Sequence, residues 1–253
     1  MAPPRISAVL IAQNEAEHIG AAVRSVAWAD EVLVVDGGSG DDTVSLATEA
    51  GARVVNRPFD GFVQQKQFAV SQATHSWIFS LDADERCSEE LASEIQTLRD
   101  DGFSHVGFRV PRLTYYLGQP IRTTDWYPDR QLRLFHRERG QWSGRLVHES
   151  VRVDGPTAAL RGEILHHPYD SLRDHLAKLN RYTSLAAEQM WDEGRRASLL
   201  HCLGLPPIVF AKNYLLKRGL MSGGLGLVVS SMNALYVFLK YLKLWELGRA
   251  RRG

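Results

Sequence analysis

Cysteine is scarce in this 253-residue chain: Cys87 and Cys202 are the only two, far apart and without a metal-ligand spacing. A Cys/His zinc site is therefore excluded, and a reducing compartment fits. Two phosphate-binding signatures are missing as well. No G-x-G-x-x-G opens a helix and no G-x-x-x-x-G-K-[ST] occurs, which argues against Rossmann-type hydride transfer and against a P-loop ATPase. The N-terminal run MAPPRISAVLIAQNE holds too short an apolar stretch for a signal peptide. No internal repeat or low-complexity segment appears. What remains, with 44% hydrophobic and 23% charged residues, is the composition of a globular protein able to bury a substantial core.

The formal net charge of +1 hides an asymmetry. From Gly204 onward, Lys212, Lys217, Arg218, Lys240, Lys243, Arg249, Arg251 and Arg252 face a single acid, Glu246. The tail is thus about +7 and the remainder about −6. Leu, Val and Phe between the tail's charges favour a membrane surface over nucleic acid. Its longest uncharged span, Gly219 to Leu239, is long enough to cross a bilayer, but four glycines, three serines and Asn233 dilute it. The "LPP" at Leu205–Pro207 is expected to break the preceding apolar stretch. Helices lying in the interface are the favoured reading, with a buried helix pair as the alternative.

The first hundred residues alternate. Ile6–Ala12, Glu31–Asp36, Ala52–Asn56 and Trp77–Leu81 read as short buried strands, separated by helix-like segments over 15–27, 42–50, 62–73 and 88–99. Such alternation predicts βαβ units and a mostly parallel sheet, with ligand loops at the strand C-termini. From Ser104 to about Leu165 the pattern shifts to strand-like pieces joined by aromatic, Arg-rich loops, as an acceptor platform would require; about 170–193 reads as helix. The expected organisation is a domain over 1–195, with a nucleotide-binding half at 1–103 and an acceptor half at 104–195, followed by a helical tail at 196–253.

The polar clusters of the first half follow strands. In "IFSLDADE" three acids succeed an apolar strand. If strand geometry persists, Asp82 and Asp84 project to the same face while the small Ala83 turns away and leaves room for a ligand. Two such carboxylates suit Mg²⁺ or Mn²⁺ shared with a diphosphate. The competing reading is a helix cap by Asp84 or Ser88. In "EVLVVDGGSGDDT", Asp36 ends a strand and can accept from a base N–H or a ribose hydroxyl, while Gly37, Gly38 and Gly40 allow close backbone approach. For Asp41, Asp42 and Thr43, capping is the favoured role.

"VLIAQNEAEHI", "EVLVVDGGSGDDT" and "WIFSLDADE", in this order and spacing, resemble family 2 glycosyltransferases of the GT-A fold. The likeness continues through "YYLGQPIRTTDWYPDRQLRLFHR", "VHESV", "ILHHPYDSL" and "NRYTSLAAE" to the glycine-rich tail, and is similar to the lipopolysaccharide-core β-1,4-glucosyltransferase branch. One departure is Ser222, where the family often carries an acid. The resemblance implies an α/β GT-A fold, with a Rossmann-like nucleotide-binding half and a membrane-associating helical segment. It implies a donor site containing Ala12, Asn14, Glu15, Asp36, Gly37, Ser39, Lys66, Asp82 and Ala83, with metal at Asp84 and Asp82 and His166 as a further ligand. It also implies UDP-glucose as donor, a lipid-linked glycan acceptor, and placement at the cytoplasmic face of the inner membrane.

Loss of a nucleoside diphosphate from an anomeric carbon loads charge on the leaving group, and the incoming hydroxyl must lose a proton to a base on the opposite face. Asp125, Asp129 and Glu149 are the candidate bases; Glu149, beside His148, matches the family's His-Glu motif. Arg130 and Arg133 fall three apart, so a strand turns at most one toward the diphosphate; either could instead pair with Asp125 or Asp129. Trp126 and Tyr127 either stack on a sugar or belong to the core. The rival readings are a sugar-phosphate nucleotidyltransferase, against which the acidic "AQNEAEH" argues, and a non-catalytic membrane-bound nucleotide-sugar binding protein.

Overall fold

The computed structural model describes residues 2–144 and 149–250. It divides into two compact units, one of Met1–Arg112 with Asp129–His166 and one of Leu113–Pro128 with His167–Gly253. The sequence-based boundary at 195 therefore falls inside the second unit. An excursion of sixteen residues, 113–128, leaves the first unit's strand region and belongs with the C-terminal helices.

In the first unit the elements are β1 (Ile6–Ala12), α1 (Ile19–Ser25), β2 (Glu31–Asp36), α2 (Thr43–Glu49), β3 (Arg53–Asn56), α3 (Phe62–Gln72), β4 (Trp77–Asp82), β5 (Glu85–Cys87), α4 (Glu89–Asp100) and β6 (Gly107–Tyr116), whose last residues enter the second unit. After β7 (Gln119–Ile121) of the second unit, the first resumes with β8 (Asp129–His136), β9 (Gly140–Ser143), β10 (Ser150–Val153), β11 (Thr157–Ala159) and β12 (Ile164–His166). The main sheet runs β3-β2-β1-β4-β8-β6-β12-β5. Its first four strands are parallel, as expected of βαβ units, whereas β8 enters antiparallel to β4 and β6. All seven residues of β1 are buried, because neighbouring strands flank it on both edges and apolar clusters cover both faces.

Most predicted strands and helices appear, with trimmed ends. The segment expected to be helical from Glu15 starts only at Ile19, since the backbone N–H groups of Glu15 and Ala16 donate to Thr43 and Asp41. Within the first hundred residues one strand was not anticipated. β5 has three residues, and it exists because β12 pairs antiparallel with it, Ile164 opposite Cys87 and His166 opposite Glu85. Helix α4 is capped by Ser88, whose hydroxyl accepts from the Leu91 N–H. The cap therefore does not involve Asp84.

In the second unit β7 pairs with the end of β6, Thr114 opposite Ile121. Three long helices follow: α5 (Leu172–Asp192), α6 (Leu199–Ala211) and α7 (Gly223–Ala250). Both α5 and α6 pack on α7. Contrary to expectation, α6 runs straight through Pro206 and Pro207. Proline holds a helical φ, so the two rings forfeit ladder bonds to the carbonyls four residues earlier without ending the helix. A π-helical stretch, Lys212–Leu216, and a short 3-10 turn, Gly219–Ser222, join α6 to α7. Backbones touch at this joint: a Cβ on Gly226 would lie 1.7 Å from the Gly219 carbonyl oxygen. Only glycine fits there.

Candidate active site

Three strand ends of the first unit, those of β1, β2 and β3, open on a cleft of about 380 Å³. Gln13, Gly37, Gly38, Asn56, Arg57, Pro58 and Phe59 line it. A Cβ on Gly37 would come within 3.3 Å of the Gln13 and Phe59 Cβ atoms, so glycine lets the two walls stand this close, where a side chain would push them aside. Of the residues expected to hold a nucleoside, Gly37 lines this cleft, while several others do a different job. Asp36, only 2% exposed, accepts from the Gly38 and Ser39 N–H groups and from the Ser39 hydroxyl. Asn14 accepts from the Gly40 N–H at 2.8 Å, and its own N–H donates to Ser39. Glu15 donates its N–H to Thr43, and Ala12 is buried with its carbonyl accepting from the Gly37 N–H. Asp36, Asn14, Glu15 and Ser39 thus knit the two loops that present the cleft. Asp41 accepts from the Thr43 N–H and hydroxyl, in line with the capping role, whereas Asp42 makes no side-chain cap.

A second cluster lies at the end of β4. The strand ends at Asp82, and Ala83 and Asp84 form a turn instead of extending it. The expected strand geometry across Asp82–Asp84 is therefore corrected, and the two carboxylates acquire different partners. Asp82 Oδ1 lies 2.8 Å from Lys66 Nζ and its Oδ2 lies 2.9 Å from Arg133 Nη2. Burial works against this carboxylate, but the Lys66 and Arg133 charges prevail and hold it far below the usual carboxylate range. Asp84 Oδ2 lies 3.4 Å from His166 Nε2. There too burial is outweighed, by the nearby His166, and the Asp84 pKa is lowered. Ala83 is 4% exposed and packs in the core cluster.

Lys66 extends this cluster to a distant segment. Its Nζ also donates to Glu149 Oε1 at 3.1 Å, across eighty-three positions of sequence. The ammonium is 3% exposed and stands 4.7 Å over the Trp142 ring, so it is buried between two carboxylates and an aromatic face. Lys66 therefore stands on the buried face of α3. His148 lies outside the described residues, so its placement beside Glu149 is not part of the geometry.

Beneath Asp82 sits a residue that sequence reasoning passed over. Glu85 is fully buried; its carboxylate accepts from Arg133 at 2.7 Å, from Arg112 at 3.1 Å and from the Asp82 N–H at 3.0 Å. Arg133 is thus a buried bridge between Glu85 and Asp82, and the neighbouring Arg130 is exposed on β8. Neither pairs with Asp125 or Asp129. Arg112 takes Asp129, and Lys212 takes Asp125 at 2.9 Å within the second unit. Trp126 resolves toward the core reading: its Nε1 donates to Asn233 and its ring packs with Tyr116, Tyr169 and His175.

The remaining carboxylate–imidazole pair, Asp84 with His166, offers oxygen and nitrogen donors and no thiolate, a set that fits Mn²⁺ or Mg²⁺. Asp82, with both oxygens engaged by cations, fits an orienting role better than a ligand's.

A family model described as Glycosyl transferase family 2 matches residues 7–153. The lipopolysaccharide core biosynthesis glycosyltransferase LpsC of Rhizobium meliloti is 32% identical over 95% of this chain and 92% of its own length. An uncharacterized glycosyltransferase of Rickettsia typhi is 30% identical over 98% and 89% respectively. A solved glucosyl-3-phosphoglycerate synthase from Mycobacterium tuberculosis, in complex with Mn²⁺, uridine-diphosphate-glucose and phosphoglyceric acid, is 30% identical over 32% of this chain and 34% of that one, with a TM-score of 0.30. Matched by the family model from the first strand through the tenth, and by LpsC over nearly its whole length, the chain belongs to glycosyl transferase family 2, an inverting enzyme family, with a GT-A-like α/β fold.

Proposed function

We propose that this enzyme transfers glucose from UDP-glucose, with inversion, onto a heptose or related sugar of a lipid-linked glycan such as the lipopolysaccharide inner core. The observation that carries the reading is Lys66 bridging Asp82 and Glu149, which brings the donor-side acid of β4 and the candidate base into one buried ion cluster. The printed name of LpsC supports the acceptor class.

In this reading the cleft of Gln13, Gly37, Asn56 and Phe59 takes the base and ribose, and Asp82, held by Lys66 and Arg133, faces the ribose or the diphosphate. Asp84 and His166 would hold Mg²⁺ or Mn²⁺, which when bound offsets charge on the departing diphosphate. Glu149 takes the proton of the acceptor hydroxyl on the face opposite the leaving group, so no covalent intermediate forms. Lys66 orients Glu149, its Nζ lying 3.1 Å from Oε1. Membership of family 2 removes the nucleotidyltransferase alternative.

The two long apolar helical stretches, Leu199–Leu216 and Gly219–Ala250, attach the chain peripherally or monotopically to the cytoplasmic face of the inner membrane. Tethering raises the effective concentration of a lipid-linked acceptor. The test is UDP release from UDP-sugars with Mg²⁺ or Mn²⁺, with and without lipid-linked acceptor. Acceptor-dependent release supports the proposal; donor binding without turnover points instead to a non-catalytic binding protein.

A further inference from the structure

Most of the second unit's exposed large apolar side chains lie on one hairpin, with Leu172 and Leu176 exposed on α5. Leu200 and Leu203 on α6, Leu216 after it, and Met221 before α7 are 82%, 67%, 80% and 69% exposed. Water-facing leucines on this scale need a cover. Lys217 and Arg218, both exposed, stand among them, and Lys240 and Arg249 lie near the other end of α7, cations over Tyr236 and Trp245 rings. Basic residues and ring-backed cations at both ends of an apolar surface match an anionic lipid leaflet.

Two arrangements put such a hairpin in lipid: across the bilayer, or along one face of it. The polar contacts decide between them. At the joint, Asn213 is fully buried and exchanges bonds with Asp125, donating to its carboxylate and accepting from its N–H at 2.8 Å. The Thr124 N–H donates to the Lys217 carbonyl, and the Thr123 and Ser222 hydroxyls pair at 2.7 Å. The joint is thus stapled to the polar turn at Thr123–Trp126. At the far end, Lys243 Nζ donates to Asn180, Thr183 and Ser184 of α5. Helix α5 therefore accompanies α7, and its outward face carries exposed Arg173, Arg181, Glu188 and Asp192. A spanning α7 would drag that charged face and the Asp125 turn into hydrocarbon, where charges are costly.

We infer that the α6–α7 hairpin is a one-leaflet platform: it lies in the plane of an anionic membrane, both ends at the same surface, with Leu200, Leu203, Leu216 and Met221 in the acyl region. This rests on the membrane association proposed above and specifies its geometry. The test uses the full-length chain in sealed cell-derived membrane vesicles of both orientations, carrying Lys217→Cys or Glu246→Cys, positions at the joint and near the far end. An impermeant maleimide is the probe; native Cys87 and Cys202 are buried. The platform requires both introduced thiols to label from the same vesicle face. Labelling from opposite faces overturns it and leaves membrane association intact. In parallel, Leu200→Asp and Leu216→Asp should each lower flotation with phosphatidylglycerol-containing liposomes at least about tenfold, since each removes a buried leucine and adds a charge. Undiminished flotation of both variants overturns the assigned face. A wild-type chain that stays with no membrane at all sinks the underlying association as well.

Discussion

The two units handle apolar surface in opposite ways. In the first, large apolar side chains are packed into two clusters on either side of the sheet, and among the described residues Phe59 stands out as exposed, at the cleft. In the second, the buried clusters are small, Tyr116 with Ile121 and Val229 in one and Ala187, Met190 and Leu244 in the other, while leucines crowd the outside. Polar groups are distributed inversely. The first unit buries charge: Glu85, Arg133 and Lys66 are all at or below 3% exposure, each satisfied by partners of opposite sign. The second buries amides and hydroxyls, Asn213 and Thr183 among them. In the proposed reading, one unit organises charge for chemistry on a nucleotide-sugar donor and the other presents apolar surface to a membrane.

That contrast yields predictions in order of size. Asp84→Asn should cut metal-dependent UDP release by about 10³-fold or more, since it removes one of the two proposed metal donors, and it should leave the fold intact by circular dichroism. Full activity would remove Asp84 from the metal site. Glu149→Gln should lower sugar transfer by about 10²–10⁴-fold while calorimetry still detects donor binding. If transfer persists, Asp129 and Asp125 come next, although Arg112 and Lys212 already engage them.

Glu85→Ala tests the buried-charge half of the comparison by stranding two guanidiniums. It should cost about 3–5 kcal/mol in urea unfolding, far more than an exposed acid such as Glu188→Ala. Equal costs for the two would mean that Glu85 is not the buried partner of the two guanidiniums.

Acid should loosen the second unit at a higher pH than the first. Burial, only partly offset by Asp174, depresses the His175 pKa from 6.5 to about 4, beside Tyr116 Oη at 3.0 Å. Because its folded value is depressed, His175 contributes stability that is complete above pH 6.5 and is lost as pH falls toward 4. Glu31, held at about 2 despite burial by bonds from Ser7, Thr74 and Arg53, contributes stability that is complete above 4.5 and is lost toward 2. Amide exchange resolved by residue should therefore show protection falling first around α5, and His175→Gln should flatten that first step. Simultaneous loss around α5 and β2 would contradict this ordering.

Much of the scaffold was legible because it is local. The buried runs Ile6–Ala12 and Glu31–Asp36 announce inner strands, and the acids closing β2 and β4 mark the ligand end of the sheet. What escaped was long-range. "NRPF" after β3 reads as an ordinary loop, although its place after a parallel strand, like that of the other clusters, was a usable signal for the cleft wall. Glu85 drew no role of its own in "DADE", because its burial depends on Arg112 and Arg133, twenty-seven and forty-eight positions away. Trp126 could not be assigned from "DWYPD", because its partners Asn233 and Tyr169 come from other stretches of chain. "LPP" misled because proline's effect depends on whether the surrounding helix is otherwise supported, and α7 supports α6.

The contact between Gly219 and Gly226 has a bearing on how such a protein can diverge. Main chain presses on main chain there, so the bend between α6 and α7 owes its shape to the missing side chains of two residues. Every outward leucine around it can drift to isoleucine, methionine or phenylalanine as a lineage changes its lipids, at little expense to the bend. Greasiness need only be kept as a quantity, while those two positions must be kept as identities.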